Sequence, residues 1–162
     1  MDNRNIILTD LYNKILNRNL LSPDIIKKII GVLLESEYSD DDIINLTESD
    51  SKTEILVLQV IIFLITEDNL QINIKQYIGH IIYNIISHEN IIYNKISCKL
   101  IGMILELDVQ MLFNILNDNT LFKQHLYEGI KLLQELIDDK DVNMTNDNIT
   151  CNDIDKYIEY IN

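Results

Sequence analysis

Alanine is absent from all 162 residues of this chain, and so is tryptophan; proline occurs once, at Pro23, and glycine four times. Alanine enters a helix at the smallest entropic cost of any residue, so its absence does not answer a structural demand. Ala, Gly and Pro have GC-rich codons, whereas the abundant Ile and Asn, with Lys and Tyr, have AT-rich ones. The simplest source is a strongly AT-biased genome, of the kind a parasite, an endosymbiont or a large DNA virus carries, and such a bias also multiplies chance motifs. Cys98 and Cys151 are too few for a disulfide framework. The N-terminus lacks a basic-then-apolar signal layout, which points to the cytoplasm, or the nucleus, as the compartment. Long hydrophobic runs are missing as well. Val60 to Ile65, even extended by Ile55–Leu58, falls far short of the roughly 20 residues that cross a bilayer, so no membrane association is expected.

Basic residues are outnumbered, 13 against 26 acids. The acids are concentrated in Glu35–Glu54 and in Asp138–Glu159. Such a surface repels phosphate backbones and anionic lipid, which excludes nucleic acid as the natural partner. It admits a protein partner with a basic surface. The residues that would meet it are Asp40, Asp41, Asp42, Glu48 and Asp50.

What is present is helical periodicity. Apolar residues recur at spacings of three and four from Ile7/Leu8 to Ile137, and no alternating segment is bounded by hairpin signals. Ser22-Pro23-Asp24 reads as an N-cap, a proline at the first helical position and an acid on the positive end of the dipole. Ser39 before three aspartates starts a short helix. Ser51-Lys52-Thr53-Glu54 reads as a capping box, Thr120 as the cap of a long helix. Ile55 to Thr66 is apolar on nearly every side, which predicts a helix sandwiched in the core. Gly31, Gly79, Gly102 and Gly129 fall inside helices, where each costs about 1 kcal/mol relative to alanine; close helix approach is the expected compensation, above all at Gly102 and Gly129. The fold class is all-α with about eight or nine helices. The expected division is a single domain over 1–138, an acidic polar loop over 139–152 and a short C-terminal helix over 153–162.

Two family resemblances follow. Leu56, Val60, Ile61, Leu64 and Asp68 recur forty residues later as Ile96, Leu100, Ile101, Ile104 and Asp108. Together with a looser thirty-residue recurrence, residues 50 to 138 resemble HEAT and armadillo repeats, which implies stacked antiparallel helix pairs. The turn proline and regular basic residue of HEAT helices are missing; Lys99 is an isolated candidate. Ile74 to Leu107 is similar to the middle of poxviral Bcl-2-like proteins. That likeness implies a compact helical bundle around Ile91–Leu107, with a groove for an amphipathic helix of a host protein. The Asn-Trp-Gly-Arg-type signature and the membrane tail of those proteins are missing.

Catalytic chemistry finds no pattern. His80, His88, His125, Cys98 and Cys151 never reach a metal-ligand spacing. Cys98, within an apolar helix, is expected to be a small core residue. Residues Asp139 to Asp147 imitate the first half of a calcium loop, but Met144 stands where the turn needs glycine and Thr150 where it needs a bidentate glutamate. No cofactor and no enzymatic activity are expected. The function that remains is a non-enzymatic helical module, monomeric or weakly oligomeric, for protein–protein interaction or assembly; the alternative is the Bcl-2-like groove binder.

Overall fold

A computed structural model describes residues 2–138 and 149–161, and among the described residues it contains nine helices and no strand. They are α1 (Asn3–Leu16), α2 (Pro23–Glu35), α3 (Asp40–Leu46), α4 (Asp50–Asp68), α5 (Ile74–Ile86), α6 (Ile91–Ile104), α7 (Val109–Asn117), α8 (Asn119–Asp138) and α9 (Cys151–Ile161). The all-α class is therefore shown. The calcium-loop-like string and most of the polar stretch 139–152 lie outside the described residues.

The abundance of Asn, Asp, Ser and Thr is put to one use at every helix start. A side-chain oxygen of Asp2, Ser22, Ser39, Ser49, Asn73, Asn90, Asp108, Asp118 or Thr150 accepts a first-turn backbone N–H of the helix that follows. Each satisfies a donor that the helix itself leaves orphaned. The caps of α4 and α8 are not the expected ones. Ser49, two residues before Ser51, receives the Lys52 N–H at 3.2 Å, and Asp118 rather than Thr120 receives the Thr120 and Leu121 N–H groups. Asparagine also replaces glycine where the backbone turns left-handed. Asn19 (φ 57°) and Asn69 (φ 56°) hold positive φ, and no glycine does. At Asn69 the last carbonyls of α4 are closed by Leu70 N–H, 3.1 Å from Leu64 O, a C-terminal cap in which asparagine tolerates the αL conformation.

Contacts divide the chain into two compact units, Met1–Tyr77 and Ile78–Asn162, with the boundary inside α5. In the first unit α1 packs on α2 and α3, and α4 on α2 and α3, so each of these helices touches two others. Ile26, Ile29, Ile43, Leu58 and Ile61 are fully buried, and α4 carries the most buried residues of this unit, in line with its composition, although Phe63 is half exposed. Arg4 of α1 closes the end of α2. Its guanidinium donates to Leu33 O at 2.7 Å and Tyr38 O at 2.8 Å and pairs with Asp40 at 3.2 Å. A cation there suits the negative end of the helix dipole.

Thr53 and Glu54 are buried rather than capping. Thr53 donates to Ser49 O at 2.8 Å and accepts from Lys14 at 3.2 Å. Glu54 forms an ion pair with Arg18, and Arg18 Nη1 is buried beside it with no hydrogen-bond partner among the described residues. Burial pushes the Glu54 carboxyl above its ordinary pKa, the Arg18 charge opposing and Asp50 adding.

In the second unit α8 packs on α6 and α7, and α9 packs on α6 and α8. The C-terminal helix begins at Cys151, two residues before the expected start, and it docks. Ile154 and Tyr157 are fully buried.

Candidate functional site

The last turn of α6 and the residue just after it, Leu100–Leu105, pack against neighbouring helices of the second unit. Leu100, Ile101 and Ile104 point into the core. A Cβ added at Gly129 of α8 would come within 3.0 Å of Leu100 Cδ2 and 3.7 Å of Met103 Sδ, and one at Gly79 of α5 within 3.1 Å of Leu105 Cδ1. Two glycines thus let neighbouring helices close on the segment Leu100–Leu105. Gly129 fulfils its expected role. Gly102 does not: a Cβ there would meet nothing within 4 Å, and the residue is exposed. An i, i+3, i+4 stripe places 100, 101 and 104 inward, which turns 102 to the opposite face. Cys98 is likewise exposed rather than a core residue.

The side of α6 nearer its N-terminus carries a polar anchor. Ser97 is fully buried and donates to Ile86 O, the last carbonyl of α5, at 2.8 Å. Its hydroxyl has one hydrogen, so Tyr157 Oη, 3.0 Å away, donates to Ser97 Oγ. Burial raises the Tyr157 phenol above its ordinary pKa, and Tyr160 adds to the rise. Tyr93, Tyr157, Tyr160 and His88 form an aromatic cluster around this bond. Centroids lie 4.3 Å apart for His88–Tyr160 and 5.9 Å for Tyr93–Tyr157, both edge-on. Beside it lies a cavity of about 290 Å³ between the end of α5, the start of α8 and the tip of α9, where Ile85, Phe122, Lys123, Tyr127 and Tyr160 meet. Its size suits one or two side chains rather than a drug-sized ligand. Ile85, Ile91, Leu132 and Tyr160 are each at least half exposed on this unit.

The acids expected to meet a partner lie in the first unit, within α3 and around the start of α4. Asp40 pairs with Arg4, Glu48 with Lys52, and Asp50 with Lys14 at 3.7 Å. Asp42 accepts the Ser39 N–H at 2.9 Å while its own N–H donates to Ser39 Oγ at 3.0 Å, a reciprocal capping box. The Ser39 backbone and hydroxyl hold the Asp42 carboxyl below its ordinary pKa. Asp41 is exposed in the same first turn. Among the described residues no group of three His, Cys, Asp or Glu side chains is placed to hold a metal ion, and no helix is long and apolar enough to cross a membrane.

Residues 68–133, about two fifths of the chain, match the family model of the MLLE domain, a helical protein–protein interaction domain. The match runs from the last residue of α4 through most of α8 and includes every residue of the Leu100–Leu105 segment. No curated protein and no solved structure matches the chain. Neither the HEAT and armadillo repeats nor the Bcl-2 family is among the matches. In a chain this rich in isoleucine, periodicity alone does not set the matched stretch apart from its other apolar helices.

Proposed function

We propose that this chain is a non-enzymatic protein-interaction module whose second unit binds a short peptide segment of a partner protein. The observation that carries this is the match of α5–α8 to a helical domain that recognises peptide motifs. The packing supports it. Gly129 lets α8 close on Leu100 and Met103 of α6, and Gly79 of α5 lies against the Leu105 side chain.

The acidic set Asp40, Asp41, Asp42, Glu48 and Asp50, in a chain of net charge −13, would steer a partner whose flanks are basic. The test is selection from a random peptide display library on the immobilised full chain, followed by mapping of amide chemical shifts with the selected peptides. Enriched peptides whose shifts concentrate on residues 78–133 are the expected result. A library that yields no sequence enriched over the bare support would overturn the proposal.

A further inference from the structure

The matched stretch ends at Leu133, yet the chain places one more helix on it. Helix α9 is eleven residues long, strongly two-sided, and packs on α6 and α8, two of the matched helices. Its inner face is Ile154 and Tyr157, three residues apart and both fully buried; Asp155, Lys156 and Glu159 face outward. Thr150 and Asp153 cap it reciprocally, with Thr150 N–H 2.9 Å from Asp153 Oδ2 and Asp153 N–H 3.2 Å from Thr150 Oγ1. The docked helix thus has the form of a short amphipathic ligand, with an aliphatic anchor, an aromatic anchor and one buried polar bond to the receptor at Ser97.

We infer that α9 is a ligand held in cis: the face of α6 and α8 that it covers is a recognition surface for a short amphipathic segment with an aliphatic residue followed three positions later by tyrosine, and a partner must displace α9 to reach it. The inference rests on the peptide-binding function proposed above and adds where the peptide sits, what it presents and what holds the surface closed. Three observations favour a ligand over a permanent part of the core. The helix lies beyond the matched stretch. An isolated helix of eleven residues is marginal in water, so α9 stays helical only while docked, and undocking and unfolding are one step. Its recognition includes a specific hydrogen bond, since Ser97 has committed its own hydrogen to Ile86 O and offers only an acceptor, which a tyrosine hydroxyl fits and a phenylalanine does not.

The experiment uses the full chain and its Ile154→Ala/Tyr157→Ala variant, both immobilised for the same peptide display selection, with the synthetic peptide of residues 149–161 as a defined probe. The expected result is that this peptide binds the variant and not the wild type. Selected peptides should bind the variant about tenfold or more tightly, the factor that follows when under a tenth of wild-type molecules are undocked. Equal affinities for both chains would overturn the inference while leaving the peptide-binding function intact. Weaker binding to the variant would overturn it too, because α9 would then be part of the site. Peptides enriched on neither chain would refute the function itself. Should the double variant lose more helix by circular dichroism than α9 contains, Tyr157→Phe decides the matter. It removes only the hydroxyl, and it must raise the affinity for selected peptides by a smaller factor; no rise would count against the inference.

Discussion

Tyr157 Oη donates to Ser97 Oγ across 3.0 Å of buried space, joining residues 60 apart in sequence. Ser97 passes its own hydrogen to Ile86 O, so three helices are linked by one chain of two hydrogen bonds. Tyr157→Phe is expected to destabilise the fold by about 1 kcal/mol, the usual net worth of such a bond, in urea denaturation. The raised phenol pKa adds a pH signature. A group that binds its proton more tightly when folded contributes stability that is full below the unfolded value near 10 and lost as pH rises through the folded one. The wild type should therefore lose stability in alkali faster than the phenylalanine variant; parallel curves would remove the phenol from the explanation.

In the Arg18–Glu54 pair the carboxylate is buried, the guanidinium is partly exposed, and one guanidinium nitrogen has no hydrogen-bond partner among the described residues. Breaking it by Glu54→Ala leaves a charge without a partner and is expected to destabilise by about 3 kcal/mol. Replacing both, Arg18→Met with Glu54→Leu, should be neutral or stabilising, since the desolvation of both charges disappears with them. A double-mutant cycle by chemical denaturation measures the coupling, and a double variant as unstable as Glu54→Ala would contradict this account.

Asp42 shares a reciprocal cap with Ser39, and its carboxyl is held below its ordinary pKa. Depressed acids stabilise above the unfolded value and lose that contribution as pH falls through the folded one. Asp42→Asn should lower Tm at neutral pH, and the gap to wild type should close below about pH 4. Thermal melts between pH 2 and 7 read this directly.

The glycines separate by what surrounds them. Gly102→Ala is expected to raise stability by about 0.5–1 kcal/mol, because the added methyl meets open space and restricts the unfolded chain. Gly129→Leu should destabilise by about 2 kcal/mol or more through collision with Leu100 and Met103. Gly102→Leu should fold normally, since the exposed face of α6 has room for the side chain. Melting curves on the same three variants decide all of it.

Among the acids, Asp41 tests steering most cleanly, since Asp40 and Asp42 also hold structure. Asp41→Asn should slow association with a basic-flanked selected peptide by about a factor of two at low salt, and the difference should vanish at high salt. Stopped-flow rates at two ionic strengths check it.

The sequence by itself determined the helices and most of their starts. Periods of three and four mark an apolar face wherever one exists, and a Ser or Asp cap is a local contact within three residues, so Ser22 and Ser39 are legible without a fold. Caps with two nearby candidates are not. Ser49 prevails over Ser51 because Thr53 and Glu54, which a box at Ser51 would hold at the surface, are drawn inward by Lys14 of α1 and Arg18 of the turn after it. Only the tertiary structure could tell Gly102 from Gly129, since a glycine's sequence neighbours do not reveal what lies across the helix from it. The same holds for Tyr157. Its place on a short amphipathic helix is written in the sequence, but the buried hydroxyl that receives it belongs to Ser97 on α6, and only folding brings the two together.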